Sequence, residues 1–242
     1  MPESPTTGPG RLLDKENRQR RPIRSFVIRS GRMTDAQRAA LQQHMQRWAL
    51  PLAQQPTDFA ASFGNTHPLV LEIGFGMGDS LASMAAANPQ QNFIGVEVHQ
   101  AGVGRLLALV EKQQLQNVRV YCHDAVEVLS KNIAVASLDR VNIYFPDPWH
   151  KKRHHKRRLV QPSFLTLLHS RLKQGGLLHI ATDWQAYAEH VLEIIEESTD
   201  FYNVATPAQF VAAKDYGRPE TKFERRGLKL GHGVWDMVFQ SR

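Results

Sequence analysis

The chain has 242 residues, long enough to bury a full core, and its 42% hydrophobic and 22% charged content is ordinary for a globular protein. A single cysteine, Cys122, excludes an internal disulfide and a multi-cysteine metal site. The net charge of +7 is uneven: residues 1–32 carry eight basic and three acidic side chains and residues 150–158 six Lys or Arg, together +11, which leaves −4 for the remainder.

Residues 1–25 are rich in Pro, Ser, Thr, Gly and Arg and are expected to form a disordered basic extension ahead of a single domain over 26–242. The start of the chain lacks the apolar stretch of a signal peptide, and no run of about 20 apolar residues follows, so a cytoplasmic protein is expected. A short extended piece, "IRSFVIR", precedes "TDAQRAALQQHMQRW", where Thr34 and Gln37 have capping-box spacing and Leu41, Met45 and Trp48 fall on one helical face.

From Pro68 the chain alternates. Strands are predicted at 69–75, 92–98, 118–124, 138–147 and 175–183, each followed by a helical pattern, and "GVWDMVFQ" reads as a closing strand. This alternation implies an α/β fold, a doubly wound and mostly parallel sheet with helices on both faces.

Ligands of such sheets bind beyond the carboxyl ends of the strands. The first strand carries Glu72 and runs into Gly74, Gly76 and Gly78; the next four end in Glu97, Asp124, Asp147 and Asp183. One acid at a strand end is ordinarily a solvated cap, and one glycine turn is only a tight turn; five acids along one edge point to a ligand. The glycines admit a nucleoside cofactor close to the backbone, and Glu97, 19 residues after Gly78, suits the two hydroxyls of a ribose. NAD and S-adenosylmethionine both fit that outline. NAD needs a helix N-terminus free for its pyrophosphate, and Asp79 stands there. Glu72 suits a cationic amino-acid group and Asp124 an adenine amine, which favours S-adenosylmethionine.

"FPDPWHKKRHHKRR", residues 145–158, sets an aspartate between two prolines against the densest positive charge in the chain. Pro146 and Pro148 restrict the backbone around Asp147. The following cations suit a polyanion such as RNA, against the plainer reading of a solubilising surface. Trp149 either stacks on a base or roofs the pocket. His150, His154 and His155 lack the spacing of a zinc site and read as RNA contacts, so no metal is expected.

Together "EIGFGMGDSL", "GVEVH", "FPDPWHKKRHHKRR", "TDW" and "TKFERRG" resemble the bacterial tRNA (guanine-N7-)-methyltransferase family, over nearly all of the chain from residue 22. The resemblance implies a seven-stranded class I methyltransferase (Rossmann-like) fold, S-adenosylmethionine as cofactor, and tRNA as partner, methylated at a variable-loop guanine. It assigns Glu72, Glu97, Asp124 and Asp147 to the cofactor site, with Asp147 also catalytic. It assigns Lys151, Asp183, Thr221, Lys222, Phe223 and Glu224 to the substrate, and Arg153, His154, His155, Lys156, Arg157 and Arg158 to RNA. Guanine N7 has a free lone pair and its methylation releases no proton, so no strong base is required. Asp147 then either holds the guanine's N–H edge or stabilises the charge developing on the purine. Two other readings remain, an NAD-dependent oxidoreductase and a non-catalytic RNA-binding protein on the same fold.

Overall fold

The computed structural model describes residues 25–26, 33–206, 209–220, 224–225 and 233–242. The basic extension before Ser25, most of the "IRSFVIR" piece, and Thr221, Lys222 and Phe223 lie outside the described residues. Helix α1 (Asp35–Trp48) begins as its sequence predicts: Gln37 N donates to Thr34 Oγ1 at 3.2 Å, and Thr34 N donates to Gln37 Oε1 at 2.9 Å. Trp48 is buried, with its indole N–H on Glu111 Oε1 at 2.5 Å, and Leu41 and Met45 pack partly buried beside it.

Among the described residues seven strands form one sheet in the order β3-β2-β1-β4-β5-β7-β6. They are β1 (Leu69–Ile73), β2 (Asn92–Val96), β3 (Val118–Tyr121), β4 (Leu138–Tyr144), β5 (Leu172–Thr182), β6 (Phe201–Asn203) and β7 (Trp235–Ser241). The first five run parallel, and β7 pairs antiparallel with both β5 and β6. Two short elements carry little sequence signal: β6, three residues long, and the one-turn helix α2 (Phe59–Phe63), capped by Asp58 and by Gly64 at φ 72°.

Alternation along the strands separates two cores. Leu71, Ile73, Ile143 and Ile180 face one side, under α5 (Ala125–Lys131), α6 (Pro162–Arg171) and α7 (Gln185–Glu196). Val70, Phe93 and Val118 face the other, where α3 (Asp79–Ala87) and α4 (Gln100–Lys112) supply Leu81, Leu106 and Leu107. A sheet buried on both faces explains why its strands read as nearly continuous apolar runs. Among the described residues no helix is long and apolar enough to cross a membrane.

Candidate active site

The chain winds from β1 through β2 to β3 on one side and places β4 on the other side of β1, so strand order reverses between β1 and β4. A cleft of about 230 Å³ opens there, lined by Gly74, Glu97, His99, His123, Phe145 and Asp147 among others. Ser25 and Phe26 close part of its wall. Of the eight positions expected along this edge, Gly74, Glu97 and Asp147 meet in the cleft, and Glu72, Gly76, Gly78, Asp124 and Asp183 do not line it; Asp79 lies at the start of α3.

The strands stop earlier than their apolar runs suggest. Glu97 and Asp183 follow β2 and β5 directly, Asp124 and Asp147 lie three residues beyond β3 and β4, and Glu72 is inside β1. Gly74 has φ 71° and open space where a Cβ would point, as close approach by a ligand requires. Gly78 serves packing instead: a Cβ there would come within 2.7 Å of Leu106 Cβ. Asp79 opens α3 and pairs with Arg105 at 3.3 Å, so a carboxylate already occupies the helix end a pyrophosphate would need.

Glu97 is 7% exposed and its carboxylate takes three backbone N–H groups: Oε1 from Val98 (2.7 Å) and His99 (2.9 Å), Oε2 from Gly76 (3.0 Å). A carboxylate offers about four acceptor sites, so one remains, on Oε2. That suits one ribose hydroxyl rather than the expected two. Glu97 also ties the glycine turn to the start of α4. Asp124 caps α5, its Oδ1 accepting from Val126 N at 2.8 Å and Glu127 N at 3.3 Å, which leaves Oδ2 for other partners.

Glu72 belongs to a buried polar row on one face of the sheet. It is 2% exposed, desolvation pushes its pKa up to about 8 against the pull of Arg140, and its Oε2 has no hydrogen-bond partner. Along the same face Arg140 binds Asn142 Oδ1, the Tyr216 carbonyl and His179 Nδ1, each at 2.7 Å. Arg140 can only donate, so His179 Nδ1 accepts and the proton sits on Nε2, which donates to Asp236 Oδ1 at 2.7 Å. Burial lowers the His179 pKa, in keeping with that neutral ring. Arg218, 4% exposed, joins Asp236 and Glu224 through hydrogen bonds of 2.6 to 2.8 Å. Burial works against its charge, but the two carboxylates hold its pKa above the usual value. Glu224, matched to the substrate by resemblance, is thus docked on the sheet by an arginine. Sequence reading passed over Arg140, His179, Arg218 and Asp236. The signal was present for three of them: each interrupts an apolar strand at a position facing the same side.

The loop holding Asp147 is bent at both ends. Phe145 has φ 51° and Trp149 φ 48°, conformations that cost an aromatic residue roughly 1–3 kcal/mol each. Phe145 N donates to the Ala181 carbonyl at 2.7 Å, the Arg218 guanidinium lies 5.5 Å from the Phe145 ring centre, and the Trp149 indole donates to the Ser25 carbonyl at 3.2 Å. Asp147 itself is exposed at the tip. The Trp149 hydrogen bond ties the loop to Ser25 on the cleft wall, while Trp149 itself does not line the cleft. Nearby Trp184, 43% exposed, follows the exposed Asp183 and meets the His150 ring edge-on at 4.2 Å.

The basic run forms a 3₁₀ helix, Lys152–Arg157, with Lys151 at its N-cap. Lys151, Lys152, Arg153 and Lys156 are exposed, His154, His155 and Arg157 half-buried, and Arg158 only 5% exposed. Arg158 is therefore not presented to a phosphate, in contrast to the expectation for it.

A family model described as "Putative methyltransferase" matches residues 66–237. The tRNA (guanine-N(7)-)-methyltransferase of Pseudomonas fluorescens is 54% identical over 240 residues, covering 99% of either chain. That of Alcanivorax borkumensis is 54% identical over 222 residues, 92% of either chain, and that of Yersinia enterocolitica 52% over 230 residues, 95% of this chain and 96% of the other. Among solved structures, the 16S rRNA methyltransferase KamB superposes with a TM-score of 0.56 at 13% identity, over 78% of this chain and 95% of that one. The aminoglycoside resistance methyltransferase NpmB1 gives 0.52 at 14% identity over the same shares. At such identities the structures speak for the fold alone, the class I, Rossmann-like methyltransferase fold that the strand order also describes. Identity above one half, sustained along almost the whole chain, carries more: the chain belongs to the tRNA (guanine-N7-)-methyltransferase family.

Proposed function

We propose that the cleft binds S-adenosylmethionine and directs its methyl group to N7 of a guanine in tRNA, with Asp147 at the point of transfer. The observation that carries this reading is the meeting of Gly74, Glu97 and Asp147 in one cleft beside a helix of exposed cations. The cofactor supplies an electrophilic methyl on a sulfonium. The residues lining the cleft suit it: Gly74 leaves room for a nucleoside and Glu97 keeps one acceptor for a ribose hydroxyl. Glu72, buried one residue behind the wall strand's end with Oε2 unpartnered, would have to be reached past Gly74 to take a cationic amino group. With no proton to remove, the protein's task is alignment, whose entropic share can reach roughly 7–11 kcal/mol. Asp147 contributes by holding the guanine's N–H edge or by stabilising the developing purine cation. Lys151, Lys152, Arg153 and Lys156 hold tRNA phosphates and set register without reading sequence. By resemblance Asp183 and Thr221 to Glu224 are assigned to the substrate. Incubating unmodified tRNA with labelled S-adenosylmethionine and mapping the product should give a single 7-methylguanine. Label on an exocyclic amine, or none, overturns the reading.

Glu97→Ala is expected to raise the cofactor Kd at least tenfold by calorimetry. It removes a hydrogen bond to a charged acceptor, worth about 1.5–3 kcal/mol, and releases the Gly76 turn. Unchanged affinity would leave Glu97 as a tie between loops only.

If the cofactor's amino group pairs with Glu72, which lies outside the cleft lining, its binding depends on pH. With a pKa near 8 it is mostly protonated at pH 7, and a cationic amino group pairs only with its ionised form. Binding at pH 7 should therefore release close to one proton from Glu72, and affinity should rise with pH towards about 8 and fall again as the ligand's own ammonium loses its proton. Calorimetry in two buffers of different ionisation enthalpy reads the proton directly. No release at pH 7 would mean that Glu72 stays neutral within the sheet and takes no ammonium.

A further inference from the structure

The basic run reads in sequence as one nine-residue polyanion comb, but a 3₁₀ helix has three residues per turn and superposes side chains i and i+3. That period sorts the run into ridges. Arg153 and Lys156 share the solvent ridge. His154 and Arg157 share the ridge on Trp149: the His154 ring meets the indole edge-on at 5.8 Å and the Arg157 guanidinium lies 5.0 Å from the indole centre. His155 and Arg158 share the inner ridge. Arg158 Nε donates to the Pro148 carbonyl at 3.0 Å, its Nη2 reaches His155 Nε2 at 3.1 Å, and its guanidinium lies 5.1 Å from the Tyr187 ring centre. Burial lowers the Arg158 pKa, yet the group stays cationic. Its hydrogen bond thus falls on the residue next to Asp147, inside a loop whose two ends, Phe145 and Trp149, are held at positive φ.

We infer that Arg158, supported by Arg157 on Trp149, is a positioning residue that fixes the Phe145–Trp149 loop and so aims Asp147, while the outer ridge of the same helix binds tRNA. A strained loop with its acid at an exposed tip keeps one conformation only if neighbouring groups over-determine it. A buried guanidinium does this with a directed fork; an ammonium has the charge but cannot hold Pro148 and His155 together in that geometry. The inference rests on the catalytic reading of Asp147 proposed above.

Arg158→Gln, Arg158→Lys, Arg153→Gln/Lys156→Gln and Asp147→Ala separate the roles. At saturating tRNA both Arg158 variants should lose at least tenfold in kcat. The slope of log Kd for tRNA against log salt should match the parent's in Arg158→Gln, although a charge is gone. The Arg153/Lys156 double variant should raise KM for tRNA and flatten the slope by roughly 0.7–0.9 for each phosphate no longer neutralised. Adding Arg158→Gln to Asp147→Ala should cause no further loss of kcat, because both act through one group. Cofactor affinity within a few-fold of the parent certifies that the cleft is folded. If Arg158→Gln lacks it, Arg158→Lys and Arg157→Gln, which alter less buried charge, carry the same comparison. A phosphate role gives the opposite pattern and overturns the inference: Arg158→Gln flattens the slope, and Arg158→Lys restores both slope and kcat. Should Asp147→Ala itself keep its kcat, the catalytic reading fails instead, and the two failures are told apart.

Discussion

Replacing Asp147 with alanine is expected to lower kcat for tRNA methylation by at least a hundredfold and to leave tRNA affinity within a few-fold. Asp147 is the exposed tip of the loop that follows β4, in the cleft with Gly74 and Glu97, and no cation of the outer ridge depends on it. Removing one preorganised electrostatic interaction from an active site typically costs 10²–10³ in rate. Asp147→Asn then divides the two roles left open for the carboxylate. If Asp147 accepts from the guanine's N–H edge, the amide oxygen retains part of the rate. If it stabilises positive charge, asparagine is as poor as alanine. Single-turnover methylation with bound tRNA measures the step directly. More than about a tenth of the parent's kcat in the alanine variant, a loss under ~1.4 kcal/mol, removes Asp147 from the chemistry.

Arg218→Met is expected to destabilise the fold by about 3–5 kcal/mol, because it leaves the buried Asp236 carboxylate without its cation. At this chain length that corresponds to roughly 6–20 °C in Tm. Glu224 is also deprived of its hydrogen bonds from the guanidinium. Urea unfolding followed by circular dichroism checks the stability, with the double variant Arg218→Met/Asp236→Leu as control. The control should recover part of the loss, since a charge pair removed whole costs less than one broken in half. A single variant within about 1 kcal/mol of the parent would mean that water, not Arg218, satisfies these acids.

Part of the site was open to sequence reading because its parts are local. The Thr34 capping box, the glycine turn after β1 and the acids trailing the strands depend on spacing along a few residues. Family resemblance added the tRNA reaction, which no periodicity contains. Asp124 shows where local reading narrows: an acid that starts a helix caps it, whatever else it touches. Glu97 shows the same limit, since its three backbone donors come from two loops 21 residues apart in sequence.

What the sequence determined by itself was the alternation of strand and helix, the edge of the sheet where ligands bind, and the pairing of an acid with a basic run. These follow from hydrophobic period and chain order, which need no knowledge of neighbours. Tertiary structure alone decided which way each polar side chain turns. Glu72, Arg140, His179 and Asp236 lie on one face because the register of four strands brings them together, and Arg218 closes that row from a segment outside the sheet. The basic run divides because a 3₁₀ turn, rather than an α-turn or an extended strand, sets its period at three. Charge is a property of composition, but whether a cation faces phosphate or a buried carbonyl depends on what its backbone packs against, and that is fixed only when the sheet closes.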